Sequence, residues 1–183
     1  TGEAGAASDD TRLDGFTVTG GNANGPNTGD QYGGGMYNRN SGPTVANCTF
    51  SGNVAKQHGS GMYNTGSSPT VENCTFSGNM ANFLGGGMYN DNSGPTVSNC
   101  TFSGNTARSG GGMYNILNSS PTVSNCTFSG NAADYGGGMF NRVSSPTVAN
   151  CTFSGNKAED GGGGMLNVDS NSTVANCTFS GNT

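Results

Sequence analysis

Charge is what this sequence lacks most. Only 9% of its 183 residues are charged, 6 Lys or Arg against 11 Asp or Glu, for a formal net charge of −5. So few cations cannot neutralise a run of phosphates, which argues against a nucleic-acid partner. Apolar side chains are also sparse: 31% of residues are hydrophobic, tryptophan is absent and histidine occurs once. No apolar run approaches the roughly 20 residues of a membrane-spanning helix. A conventional globule of this length needs more apolar surface to offset chain entropy. Disorder, the usual alternative, ordinarily comes with high charge. What remains is a polar, nearly uncharged chain rich in Asn, Ser, Thr and glycine, with 34 Gly. Such a chain folds if its polar side chains satisfy one another in ordered ladders.

A repeat supplies that order. The unit G-G-G-M-Y-N…P-T-V-x-N-C-T-F-S-G-N recurs six times. Its cysteines, Cys48, Cys74, Cys100, Cys126, Cys151 and Cys177, are spaced by 26, 26, 26, 25 and 26 residues. The valine column is Val45, Val71, Val97, Val123, Val148 and Val174. The phenylalanine column is Phe50, Phe76, Phe102, Phe128, Phe153 and Phe179. The methionine column is Met36, Met62, Met88, Met113, Met139 and Met165. A divergent seventh coil opens at Leu13, with Phe16 and Val18 expected in its strand and Asn22 in the place of the later SGN asparagines.

The period selects the architecture. Helical repeats need apolar residues at 3.6-residue spacing and few glycines. Propeller blades need about 40 residues each, and leucine-rich repeats need a leucine framework. A unit of 25 or 26 residues, dense in Gly and β-branched residues, fits one coil of a parallel β-helix. One coil cannot bury its own Val, Met and Phe, but stacking at about 4.8 Å sets like over like in a shared dry core. The expected fold is therefore all-β, a right-handed parallel β-helix of about seven coils over residues 13–183, preceded by a segment at 1–12.

Within a coil, Pro43 to Phe50 reads as the main strand, with Val45, Asn47 and Phe50 inward and a bend near Asn47 or Cys48. Asn53, Asn79, Asn105, Asn131, Asn156 and Asn182 close the next turn and are expected to stack as an amide ladder. The Asn38 and Asn47 columns are expected to stack likewise. The segment after each SGN varies in sequence and length, which places it outside as the part best suited to specificity.

Together, Gly33-Gly34-Gly35-Met36-Tyr37-Asn38 and Pro43-Thr44-Val45-Ala46-Asn47-Cys48-Thr49-Phe50-Ser51-Gly52-Asn53 resemble the repeats of bacterial secreted right-handed β-helix proteins. They are also similar to the GGA(I/L/V) and FxxN repeats of the polymorphic outer-membrane proteins. The resemblance runs from about Leu13 onward. It implies an extracellular or bacterial cell-surface protein, often an adhesin or stalk.

Several residues invite chemistry. The six cysteines share one column, so a buried thiol ladder is favoured over disulfides between adjacent coils or a metal site. Each lies in an Asn-Cys-Thr glycosylation sequon, read here as partly buried strand. Tyr37, Tyr63, Tyr89 and Tyr114, continued by Phe140 and Leu166, adjoin the methionines and so face the other way. At least partly exposed, they would form a stripe able to stack on sugars. Asp134, Glu159 and Asp160 could converge, with Arg108 one coil earlier, as a weak calcium or catalytic site. Otherwise they are surface ion pairs. Asp9, Asp10 and Asp14 form a second acidic patch, and the lone His58 lies in a variable loop.

These readings favour an extracellular structural or adhesive rod that is not an enzyme and has no cofactor. It would be a stalk or filament subunit that self-associates end to end, with surface glycans as a further expected partner. The rival reading is a polysaccharide-binding or polysaccharide-degrading β-helix, a lyase or glycoside hydrolase.

Overall fold

The computed structural model describes residues 11–183. Short strands wind into a parallel β-solenoid of about six turns, with no α-helix among the described residues. Strands of consecutive coils pair in register, like over like: Val45 with Val71, Phe76 with Phe102, Met88 with Met113.

Three faces carry the three apolar columns. The first sheet has seven strands, from Arg12–Asp14 through Thr44–Ala46 to Thr173–Ala175, and turns its valines inward. The second, also of seven strands, runs from Thr17–Thr19 through Thr49–Ser51 to Thr178–Ser180 and points its phenylalanines inward. The third has six strands, from Met36–Arg39 to Met165–Val168. The expected single strand from Pro43 to Phe50 is thus two strands on different faces. Asn47 forms the corner between them, with φ of 53° and its side chain exposed, and its equivalents repeat this left-handed turn. Asparagine tolerates that conformation, because its short polar side chain can bond locally. Asn47 is therefore neither inward nor part of a ladder. Cys48 takes the inward place, 1% exposed. The sequon asparagines are accordingly exposed corners, not partly buried strand.

The core is one continuous column. Val, Cys, Phe and Met of successive coils form a single buried cluster. The phenylalanine rings stack at centroid separations of 4.7 to 4.9 Å, with planes within 5° of parallel. Val174 and Phe179 are 42% and 47% exposed, and the Phe179 ring continues the stack on Phe153.

The asparagines of the Asn53 column are fully paired. Asn53, Asn79, Asn105, Asn131 and Asn156 are all 0% exposed. Each donates one amide hydrogen to the next asparagine's Oδ1 and the other to a carbonyl of the phenylalanine sheet, as Asn105 does to Asn131 at 3.0 Å and to Phe76 at 2.9 Å. The Asn38 column forms a second ladder, with 2.8 Å steps from Asn38 to Asn64, Asn90, Asn115, Asn141 and Asn167. Low dielectric makes such amides costly if unpaired, so each ladder fixes the register between coils.

The opening coil is shifted from its expected alignment. Val18 pairs with Phe50, and Leu13 with Val45. Asn22 pairs with Val54, while Gly21 holds the ladder position and donates its N–H to Asn53 Oδ1. Phe16 precedes its strand, in the place of the later cysteines, with its N–H on Cys48 Sγ, and is 56% exposed. Of the expected N-terminal segment, residues 1–10 lie outside the described residues, whereas Arg12 already belongs to the first strand.

Candidate functional site

The cysteines form the thiol ladder. All six are free. Cys74 N–H donates to Cys100 Sγ at 3.4 Å, and Cys74 Sγ donates to the Glu72 carbonyl at 3.2 Å. The stacked sulfurs of Cys126 and Cys74, and then burial, push the Cys100 thiol above its ordinary range. A neutral thiol shut from solvent is a poor nucleophile and a poor metal ligand.

The tyrosine column points away from the methionines, but it is not exposed as expected. Tyr63, Tyr89 and Tyr114 are 8%, 5% and 2% exposed, and only Tyr37, at 44%, is open. The cause is the variable segment. It folds back over the rings and adds a second apolar cluster, to which Tyr32, Leu84, Ile116 and Leu166 also contribute. Tyr32 packs on Tyr63 with centroids 5.0 Å apart, and the His58 ring lies 5.0 Å from Tyr89, tilted by only 15°. Burial pushes the Tyr63 hydroxyl up to about 12 and drives the His58 imidazole down to about 4. The covering residues form a column of their own, with His58 bridged to Leu84, Leu84 to Ser109 and Ser109 to Tyr135. Variability in the sequence marked this segment as external, but its inward half is a lid on the aromatic column.

At Ser109 the lid is interrupted. The variable segment before Met113 is one residue shorter than the one before Met88, and its covering side chain shrinks from leucine to serine. A groove of about 640 Å³ opens there, with Leu84 and Tyr135 on its walls and Tyr114, Ile116 and Phe140 among its floor residues. The ring stack breaks at the same point. Tyr114 and Phe140 meet edge to face, at 86°, whereas Tyr63 and Tyr89 are stacked at 11°. Arg108, Arg142 and Asp160 stand at its polar edge. Arg142 lies beside Tyr114, although burial dominates that hydroxyl and raises it.

The acidic candidates are neighbours across two paired strands. An irregularity between Ala133 and Tyr135 sets Ala133 opposite Ala158 and Tyr135 opposite Gly161, so Glu159 and Asp160 both fall against Asp134 across one bulge. Asp134 pairs with Arg108 at 3.7 Å, both side chains well exposed. Asp160 sits by the Tyr135 hydroxyl and raises it. No group of three or more His, Cys, Asp or Glu able to hold a metal ion occurs among the described residues. Asp14 is bound by Asn47 Nδ2 at 2.8 Å and by Arg12 at 2.9 Å, which together hold its carboxyl below the usual range. Asp9 and Asp10 lie outside the described residues.

Sequence reasoning missed two features of the site. The first is a serine ladder at the bend before the valine sheet, where Ser67 N–H donates to Ser93 Oγ at 3.0 Å and Ser93 N–H to Ser119 Oγ at 3.1 Å. Its only signal was the recurrence of Ser beside Pro. The second is the interrupted lid, whose signal was the one-residue deletion.

Among the described residues, no helix is long and apolar enough to cross a membrane. No curated protein and no solved structure matched the chain. The family model described as a right handed beta helix region matches residues 7–128 and, in a second alignment, 33–183. With the coils, sheets and ladders in place, the chain belongs to the right-handed β-helix family.

Proposed function

We propose that the chain is an extracellular structural and adhesive rod, a stalk or filament element of a cell surface. The observation that carries this reading is the unbroken run of like-on-like ladders. The Asn53 and Phe50 columns continue from coil to coil with steps near 3 Å and 4.7 Å. An interface that repeats itself has no intrinsic length limit, so stability grows by neighbour terms as coils are added. The same interface suits end-to-end association of copies. Outward positions of the phenylalanine sheet carry Thr and Ser in every coil, such as Thr49 and Ser51 or Thr101 and Ser103. Such uncharged faces resist nonspecific electrostatic capture while offering hydroxyls to a surface.

Electron microscopy and antibody labelling of intact source cells test the proposal together. The expected result is rods of constant width, reached by antibody without permeabilisation. Compact particles, or labelling only after permeabilisation, would overturn it.

A further inference from the structure

The groove at Ser109 has a chemistry that the structural reading does not use. Its floor and walls are mostly apolar and aromatic, with Tyr114, Phe140, Leu84 and Tyr135 prominent. At about 640 Å³ it lies within the ordinary range of small-molecule sites. Two of the chain's 6 cationic residues, Arg108 and Arg142, meet at this edge, in a protein whose net charge is −5. Arg108 is partly engaged by Asp134 at 3.7 Å, whereas Arg142 stands beside the Tyr114 hydroxyl. Asp160, beside Tyr135, offers an acceptor on the same rim.

We propose that this groove binds a small hydroxylated aromatic carboxylate. The apolar ring lies in the space beside Ser109, against Leu84, Ile116 and Tyr135 and over the buried Tyr114 and Phe140. The carboxylate accepts hydrogen bonds from the Arg142 guanidinium, whose planar fork matches it. The ring hydroxyl donates to the Asp160 carboxylate. Neither a fully apolar ligand nor a fully polar sugar satisfies both the aromatic floor and the charged rim. The site exists because one coil places serine where its neighbour places leucine. The inference is independent of the rod proposal, since the groove is lined by this chain's own coils whether or not copies associate.

The test is calorimetric titration of the whole chain with 4-hydroxycinnamate. Saturable one-to-one binding is expected. Arg142→Gln should weaken it about tenfold or more, the cost of one charge-assisted hydrogen bond. Ser109→Leu should abolish it, because leucine closes the gap as Leu84 does one coil earlier. The melting temperature of Ser109→Leu should equal or exceed that of the parent, which separates a filled groove from a damaged fold. Arg39→Gln, at an exposed cation outside the groove, should leave affinity unchanged. The alcohol analogue, lacking the carboxylate, should bind at least tenfold more weakly. No saturable binding would overturn the proposal. So would equal affinity for the acid and the alcohol, affinity unchanged by Arg142→Gln, or tighter binding of a uronate oligosaccharide.

Discussion

Asn79 and Asn105 are joined by an amide hydrogen bond of 2.9 Å in the dry interior, and Asn105 Oδ1 also accepts the Asn79 backbone N–H at 3.0 Å. Asn79 sends its second amide hydrogen to the Phe50 carbonyl at 3.0 Å. One side chain therefore ties together three coils. Replacing it strands the Asn53 N–H and the Asn53 side-chain amide, which Asn79 Oδ1 now accepts at 3.1 and 3.0 Å, and takes one donor from the Phe50 carbonyl. Each buried unpaired group costs about 1–3 kcal/mol. Asn79→Leu is therefore expected to lose about 3 kcal/mol or more in urea unfolding. A loss below about 1 kcal/mol would show that the ladder is not a stabilising element.

Glycine next to the methionine strand answers a close approach of backbones. A Cβ on Gly87 would lie 2.5 Å from the Gly112 carbonyl oxygen and 2.9 Å from Phe102 Cδ1. Gly104 presents the opposite case, a left-handed φ of 60° with nothing within 4 Å of such a Cβ. Gly104→Ala should cost about 1–2 kcal/mol, the left-handed penalty alone. Gly87→Ala should cost clearly more, because coils must separate to admit the methyl. Thermal melts of the two variants decide this, and equal losses would remove the close-approach argument.

The thiol ladder sets an order of reactivity. Cys48, Cys74, Cys100, Cys126 and Cys151 are buried, while Cys177 is partly exposed. A thiol-reactive chromogenic disulfide should modify Cys177 first and the other five only on unfolding in guanidinium, as peptide mass spectrometry of the labelled chain would show. Fast native labelling of Cys100 would contradict the buried column.

Much of this was legible in the sequence, because a strict repeat converts one coil's pattern into every coil's position. The Val, Phe, Met and Cys columns and the Asn53 ladder follow from period and residue type alone. The bend near Asn47 was legible too, from the odd spacing between Asn47 and Phe50, but the direction of the Asn47 side chain was not: its φ of 53° makes it the exposed corner itself, where an inward strand position was expected. The burial of Tyr89 was equally hidden. Its direction follows from Met88, but its cover comes from His58, a residue of the preceding coil's variable segment. Gly21 in the ladder position shows the same limit, because the divergent opening coil slips by one residue.

Burial of His58 makes stability depend on pH. Desolvation lowers its imidazole from 6.5 to about 4, and its Nδ1 is buried with no hydrogen-bond partner among the described residues. The unfolded chain binds this proton more readily than the folded one. Stability is therefore complete above the unfolded value and is lost as pH falls from about 6.5 toward about 4. The melting temperature of the parent should fall more across this window than that of His58→Gln. Parallel curves for the two proteins would show that the imidazole is not shielded.

The stacking of like on like is tested most directly by nuclear Overhauser contacts among selectively methyl-labelled valines. The account predicts cross-peaks linking Val71 to Val97, Val97 to Val123 and Val123 to Val148, the register pairs of the first sheet. Valine methyls without such contacts, or contacts joining only residues near in sequence, would contradict it.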